Sequence, residues 1–211
     1  MGIWDSLAPL HCVICREASE SVLCPSCRRR LDALFDPRAF RCSGGNGYAD
    51  SMFALFHYGD SLPRDLVLDL KSTGYRDSLE LFYGYMERAV ACDDFPREID
   101  LVTFCPRTVF ARSARGFDQS EKLAREAARA VNRPFAVLLS RSGYARTQHK
   151  LSGARREENV KGTFFGEQKL MGENILLVDD VVTTGATASE AARVLKGMGA
   201  MRVFVLCLAH D

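Results

Sequence analysis

Two kinds of apolar run alternate down the chain, and their alternation predicts the architecture. Predominantly apolar stretches lie at 51–58, 99–104, 135–139, 175–178 and 201–209, the one at 175–178 without interruption. Short runs of this kind, unlike alternating ones, mark strands buried on both faces, as in parallel sheets. Between them the apolar residues recur at helical spacing. Leu66, Val67 and Leu70 share a face after Pro63, which suits a first helical turn. Leu81, Tyr85 and Ala89 line a helix over 77–92. Asp118 precedes Glu121 by three, as in a capping box with Asp in the cap role. The helix it opens runs to about Val131, with Leu123, Ala124, Ala127 and Ala128 inward and Arg125, Arg129 and Arg133 on a solvated face. A last helix carries Ala191, Ala192, Val194, Leu195 and Met198 and stops at Gly197 or Gly199. Strand and helix in alternation predict an α/β fold, an open and mostly parallel sheet with helices on both faces.

One long stretch breaks this pattern. Residues 140–165 are polar and basic, with only 152–159 suited to a helix. So long a segment without regular structure inside a domain reads as a functional loop or lid. Its His149 has no neighbouring nucleophile and reads as incidental. Charge sharpens the picture. Net charge is only +1, but residues 105–161 hold 13 Lys/Arg against 5 Asp/Glu, which leaves the rest of the chain at −7. An anionic ligand beside that segment is the natural inference.

The 211 residues, 47% hydrophobic, suffice for one well-buried domain with a small appendage. The appendage is predicted at the N-terminus. Cys12, Cys15, Cys24 and Cys27 form two CxxC knuckles, the ligand set of a closed structural zinc site. A redox pair or a cluster of free thiols is the alternative. Four protein ligands leave no open position for catalysis. A short helix with a basic face, Arg28-Arg29-Arg30-Leu31, follows, and glycines around Cys42 mark a boundary. The expected division is a zinc-binding module over 1–45 and a second domain over 46–211. Met1–Pro9 does not read as a signal peptide, and no apolar run approaches the ~20 residues that span a bilayer. A cytoplasmic protein without membrane insertion is expected, its cysteines reduced or metal-bound.

The chemistry concentrates at 175–187. Four apolar residues run into Asp179 and Asp180, then into Val181-Val182-Thr183-Thr184-Gly185-Ala186-Thr187 and a helix. The carboxyl end of a buried parallel strand is where ligands bind in open α/β sheets. A hydroxyl-rich loop at a helix N-terminus suits a phosphate. Adjacent carboxylates suit ribose hydroxyls or the water shell of Mg²⁺. A phosphorylated sugar would need all of these together. Lys71 beside Gly74 reads as a phosphate ligand or, more simply, as a lysine stabilised at a helix C-terminus.

Residues 175–187 resemble the 5-phosphoribosyl-1-pyrophosphate (PRPP) motif of type I phosphoribosyltransferases. The whole chain is similar to the ComF family of competence-linked, phosphoribosyltransferase-like proteins. Its marks recur in order: the paired CxxC knuckles, the step Leu70-Lys71 to Gly74, Arg115-Gly116-Phe117-Asp118-Gln119, and Arg146-Thr147-Gln148 with Leu151, Arg156, Asn159 and Gly162. The resemblance implies a type I phosphoribosyltransferase sheet behind an N-terminal four-cysteine zinc finger. It implies that Asp179 and Asp180 bind the ribose hydroxyls and orient Mg²⁺ through water, and that Thr183 to Thr187 wrap the 5′-phosphate. Lys71 and Arg107 would serve the pyrophosphate end, and Arg146, Gln148 and Arg156 would close over the leaving group. Two departures stand out. Asp118 replaces the family's usual Asn, and Thr183 stands where purine-type enzymes commonly carry a base-assisting Asp. The expected function is a Mg²⁺-dependent transfer from PRPP to an acceptor the sequence does not name, linked to competence and DNA uptake. The alternative is a non-catalytic competence factor that senses PRPP or a nucleotide, or that binds single-stranded DNA or competence proteins.

Overall fold

The computed structural model describes residues 11–40, 47–73, 76–108, 118–142 and 160–211. Its axis is strand β6, Asn174–Val182, whose Ile175, Leu176 and Leu177 are fully buried. The named elements around it are helix α1, Pro25–Leu34; strands β1, Arg38–Phe40, and β2, Ser51–His57; helices α2, Ser61–Thr73, and α3, Arg76–Val90; and strand β3, Leu101–Phe104. Helix α4, Gln119–Ala130, strands β4, Ser140–Arg141, and β5, Phe164–Phe165, β6 itself, helix α5, Ala186–Met198, and strand β7, Arg202–His210, complete them.

The sheet runs in the order β1-β2-β7-β6-β3. β2, β7, β6 and β3 are parallel, and only the edge strand β1 is antiparallel. The predicted open, mostly parallel sheet is therefore what forms. Two neighbours leave the sheet in opposite directions. From β3 the chain goes to α4 and returns at the outer edge, where Val102 bridges Phe135. From β6 it goes to α5 and back to β7 on the inner side. The predicted strand at 135–139 is reduced to that single bridge and to the bond from the Ala136 N–H to the Val102 carbonyl at 3.0 Å. Its next amide, Leu138 N–H, goes instead to the Thr103 hydroxyl oxygen.

Helices cover both faces, as their apolar stripes require. On one face α2 lays down Leu62, Leu66, Val67 and Leu70, α3 Phe82, Tyr85 and Met86, and α4 Leu123, Ala124 and Ala127. Burial of each large side chain here is worth about 1.5–3 kcal/mol. On the other face α5 packs through Ala188, Ala191, Ala192 and Leu195. Its alanines let the helix lie close to the sheet. It ends at Gly199, in a left-handed conformation (φ 113°), where a Cβ would collide with the Leu170 carbonyl.

The N-terminal cysteines do not hang from this body. Cys12, Leu23, Cys24, Cys27 and Leu31 belong to the same buried cluster as Phe56 and Tyr85. The Tyr85 hydroxyl donates to Asp32 at 2.9 Å, and Arg88 pairs with the same carboxylate at 2.8 Å. The Arg88 guanidinium also lies 4.2 Å from the centre of the Phe35 ring. Among the described residues no helix is long and apolar enough to cross a membrane.

Candidate functional site

In an open α/β sheet the ligand crevice opens outside the carboxyl ends of two adjacent strands whose following connections diverge. Here those strands are β3 and β6, paired in parallel from Leu101↔Ile175 to Phe104↔Val178. Asp179 and Asp180 follow that last pair directly. The strand does not stop at the acids, as the apolar run suggested. It carries them in its ladder, with Asp179 opposite Cys207 and Val182 opposite His210. The continued pairing with β7 holds both backbones rigid.

Each carboxylate has a defined partner. Asp179, 8% exposed, accepts from the Ser120 hydroxyl at 3.3 Å and from the Asp180 N–H at 2.8 Å. Asp180, 9% exposed, accepts from Arg107 Nη2 at 2.7 Å and from the Val181 N–H at 2.7 Å. The Arg107–Asp180 pair thus spans the crevice from the end of β3 to the end of β6. Its two side chains are mostly buried, so the attraction is far less screened than at an open surface.

Asp118 fixes the other wall. It caps α4, one carboxylate oxygen accepting from the Ser120 N–H at 3.1 Å. Its second oxygen accepts from the Arg107 N–H at 3.0 Å. The predicted cap is present, and Glu121 pairs with Arg125. One buried side chain therefore sets both the α4 N-terminus and the backbone of Arg107. Next to it Gln119, fully buried, donates to the Leu70 carbonyl, and among the described residues its Oε1 has no hydrogen-bond partner. Cys105 is buried beside the acids, and burial, then the charge of Asp179, pushes its thiol well above the usual range.

The loop after β6 turns on Gly185, whose positive φ of 78° is the conformation glycine tolerates. Helix α5 begins at Ala186, so Ala186 and Thr187 form its first turn rather than a loop before it. Thr184 Oγ1 accepts from the Ala186 N–H at 3.4 Å. The 13-residue helix points its positive dipole end at this loop.

Two supporting residues escaped sequence reasoning. Ser120 could have been found as the first hydroxyl inside a helix that starts at the same sheet edge as the acids. Glu190 lies among the alanines of α5, an unusual place for a carboxylate. It accepts from the Gly162 N–H at 2.7 Å and binds Arg193 through both oxygens at 2.8 Å. Arg193 holds its carboxyl below the ordinary value of 4.5, against burial. Glu190 thereby ties the return of the basic segment to the helix behind the phosphate-type loop. The other end of that segment is clamped too, by β4 pairing with β5.

Of the other sequence-predicted residues, Lys71 falls in the last turn of α2, with its side chain outside the described residues. Arg112, Arg115, Gly116, Phe117, Arg146, Gln148, His149, Arg156 and Asn159 also lie outside the described residues, as do Cys42 and Gly74.

The cysteine cluster is a second candidate site. The four Sγ atoms of Cys12, Cys15, Cys24 and Cys27 lie within 4.8 Å of one another, and three of the four residues are buried. Cys15 and Cys24 Sγ are 3.6 Å apart. Sulfurs about 2.3 Å from a tetrahedral Zn²⁺ stand about 3.8 Å from each other, so the arrangement fits that ion. Cys24 is the N-cap of α1 and Pro25 its first residue, which starts the helix at the second knuckle. Burial and the neighbouring thiols push Cys27 up to about 12. Cys12 is lowered to about 6, because backbone hydrogen bonds from Cys15, Cys24 and Ile14 outweigh its burial.

Comparison with known proteins gives four findings. Residues 114–211 match the phosphoribosyl transferase domain family. "DNA utilization protein YhgH" of Escherichia coli O6:H1 is 40% identical over 97 residues, 46% of this chain and 43% of that protein. "Competence protein F" of Haemophilus influenzae is 30% identical over 105 residues, 48% of this chain and 46% of that protein. The chain thus spans about half the length of the curated relatives it matches. A solved structure of glutamine phosphoribosylpyrophosphate amidotransferase from B. subtilis aligns with 67% of this chain and 30% of its own, at 21% identity and TM-score 0.45.

Proposed function

The chain belongs to the ComF family of phosphoribosyltransferase-like proteins with an N-terminal four-cysteine module, and we propose that it binds PRPP in the crevice between β3 and β6. One observation carries the reading. Two mostly buried carboxylates stand at the carboxyl end of a central strand, faced by Arg107 and followed at once by a glycine turn and a helix N-terminus. Each part matches one part of the ligand. Thr183 to Thr187 take the 5′-phosphate with hydroxyls and N–H groups. Asp179 and Asp180 accept from the ribose 2′- and 3′-hydroxyls. Arg107 and Lys71 meet the pyrophosphate, and Arg146, Gln148 and Arg156 of the basic segment close over it.

The site also suits Mg²⁺ brought in by the ligand. Two carboxylates do not make a closed metal cage, and Mg²⁺ is commonly held by one or two of them together with substrate phosphates. When bound, Mg²⁺ neutralises the pyrophosphate as it departs. In the transfer the bond from ribose C1 to the pyrophosphate oxygen breaks, and its electron pair leaves with pyrophosphate. A bond forms between C1 and a nucleophilic atom of the acceptor, which gives up its proton. The sugar passes through a cation-like state that the Asp179 and Asp180 carboxylates favour electrostatically. Thr183 cannot serve as a carboxylate base, so the acceptor loses its proton by another route.

Calorimetry with PRPP, with and without Mg²⁺, tests the site. Wild-type protein is expected to bind, and Asp179→Ala/Asp180→Ala to lose at least tenfold in affinity. Absence of binding by the wild type removes the assignment. Pyrophosphate release across a panel of nucleobases then tests transfer itself. A second reading, a sensor of PRPP or nucleotide or a binder of single-stranded DNA acting with competence proteins, draws on the names of the relatives and on the basic 105–161 segment.

For the module we propose structural Zn²⁺ on Cys12, Cys15, Cys24 and Cys27, within a division into 1–45 and 46–211. Metal analysis of purified protein is expected to give one zinc per chain. A site of this kind, with eight cysteines in the chain, fits the cytoplasm as its compartment.

A further inference from the structure

The crevice has a further guanidinium to which the sequence gave no role. Arg141 closes β4, and the antiparallel pair with β5 sets it directly opposite Phe164. Opposed residues of two paired strands point to the same face, so the two side chains meet. The Arg141 guanidinium lies 4.8 Å from the centre of the Phe164 ring. Phe164 is itself firmly seated. It is buried in the cluster that holds Cys105, Leu138, Leu139 and the alanines of α5. A planar cation laid on a buried ring is held in one place.

The course of the chain brings that place to the crevice. From the Val102–Phe135 bridge the backbone runs parallel to β3. Leu138 is still tied to Thr103, and by Arg141 the chain has passed the carboxyl end of β3 at Phe104. Charge reports the same approach. The buried Cys105 thiol, which follows β3, is pushed up by burial and by Asp179, and the Arg141 charge opposes that rise. Arg141 therefore stands at the same strand ends as Asp179, Asp180 and Arg107.

The two guanidinium groups at these strand ends differ in their partners. Arg107 is bound to Asp180 at 2.7 Å. Among the described residues the half-buried Arg141 makes no ion pair, and its Nε is buried without a hydrogen-bond partner. A buried donor left unpaired costs free energy, and a charge partly withdrawn from water costs more. A purely structural arginine is normally matched to carboxylates or carbonyls, as Arg88, Arg97 and Arg193 are in this chain. The stack on Phe164 fixes the plane of the Arg141 guanidinium and uses none of its N–H donors. A flat, oriented group of this kind suits two-point recognition of a phosphate.

We propose that Arg141 binds the pyrophosphate group of the phosphoribosyl ligand, and so makes the crevice select ligands that carry pyrophosphate over those with a 5′-phosphate alone. This rests on the PRPP reading of the crevice. Position decides which end of the ligand it meets. The loop from Thr183 to Thr187 follows β6, whereas Arg107 and Arg141 stand beyond the end of β3. Arg107 divides its donors between Asp180 and the ligand, and Arg141 brings its own undivided. In the transfer the electron pair of the broken C1–O bond leaves with pyrophosphate. A guanidinium already fixed beside that group favours the state in which its charge grows.

The test is calorimetry on the full chain with three probes, PRPP, inorganic pyrophosphate and ribose 5-phosphate. Arg141→Gln is expected to lower affinity for PRPP and for pyrophosphate by about tenfold or more, the usual worth of a charged hydrogen bond. Its affinity for ribose 5-phosphate is expected to stay at the wild-type value. Arg141→Lys keeps the charge and loses the planar fork, so it should fall between the two. An unchanged melting temperature of both unliganded variants shows that the fold is intact. The inference is overturned if Arg141→Gln binds pyrophosphate as the wild type does. It is equally overturned if both variants lose ribose 5-phosphate by the same factor as pyrophosphate, which a general disturbance of the crevice would produce. A wild type that binds PRPP no better than Arg141→Gln leaves the PRPP site standing and removes Arg141 from it. A wild type that binds pyrophosphate but not PRPP removes the PRPP reading instead, and loss of that binding in Arg141→Gln still supports Arg141 as the pyrophosphate residue.

Discussion

The Arg107–Asp180 pair joins the ends of the two strands that form the crevice. Both side chains are largely withdrawn from water and 2.7 Å apart. Removing one partner leaves the other charge buried and uncompensated, which typically costs about 3–5 kcal/mol in a full interior. Some exposure remains, so about 2 kcal/mol is the expected loss for Arg107→Ala or Asp180→Ala. The double variant should lose less than the sum of the two. Urea denaturation of all four proteins measures this, and simple additivity would show that the pair is not coupled. Glu190 gives a pH signature instead. Its carboxyl titrates below the ordinary 4.5 in the folded chain because Arg193 holds it charged. A depressed carboxylate stabilises the fold above its unfolded value and loses that contribution as pH falls through the folded one. Stability is therefore expected to decline on this account only below about pH 4.5. Glu190→Gln should remove that part of the acid limb, as read by circular dichroism from pH 6 downward. Asp179 and Asp180 were visible in the sequence because two acids interrupt an apolar run. Ser120 and Glu190 were not, since nothing in a linear string says that a serine 59 positions away touches Asp179.

At the scale of elements, the helices and long strands follow from periodicity, because each buries one stripe or two whole faces. What failed to show was short or depended on a distant partner. β1 has three residues and exists only through its pairing with β2. The β4–β5 pair joins positions 25 apart, and neither half has a pattern of its own. The run at 135–139 looked like a strand by composition, but its Leu138 amide is taken by Thr103 and only one bridge forms. Capping was legible and has a measurable consequence. Asp118 satisfies the α4 N-terminus and the Arg107 backbone at once, and it is 3% exposed. Loss of a cap costs about 1 kcal/mol, and the second orphaned N–H raises this to about 2 kcal/mol. Asp118→Ala is expected to lower the melting temperature by about 4–8 °C. Asp118→Asn keeps both acceptors only if one amide oxygen can serve them, so it should fall between. A melting temperature for Asp118→Ala equal to that of wild type would mean that water replaces both bonds.

For the whole molecule the question is whether the cysteine module and the sheet melt as one body. A small metal module joined only by a linker would unfold alone when stripped, leaving the sheet's transition untouched. The packing argues otherwise. Leu23, Leu31, Cys24 and Cys27 are buried in the cluster that holds Phe56 and Tyr85, and Asp32 binds α3 twice. α3 packs in turn against the sheet beside α4, the helix whose Ser120 positions Asp179. Free energy gained when a metal binds the module is thus folding free energy for the α1–α3 interface as well. Chelation, or Cys24→Ser, is expected to lower the melting temperature of the single cooperative transition by several degrees. It should also weaken PRPP binding, although no cysteine of the module touches the crevice. Arg88→Ala cuts one of the two side-chain links from α3 to Asp32 and removes the stack on Phe35, so in that variant stripping the metal should shift the transition less. Calorimetric scans of wild type and Arg88→Ala, with metal and after chelation, decide the matter. A sheet transition that stays put on chelation in the wild type would make the module an independent unit and break the chain of contacts from Cys24 to Asp179.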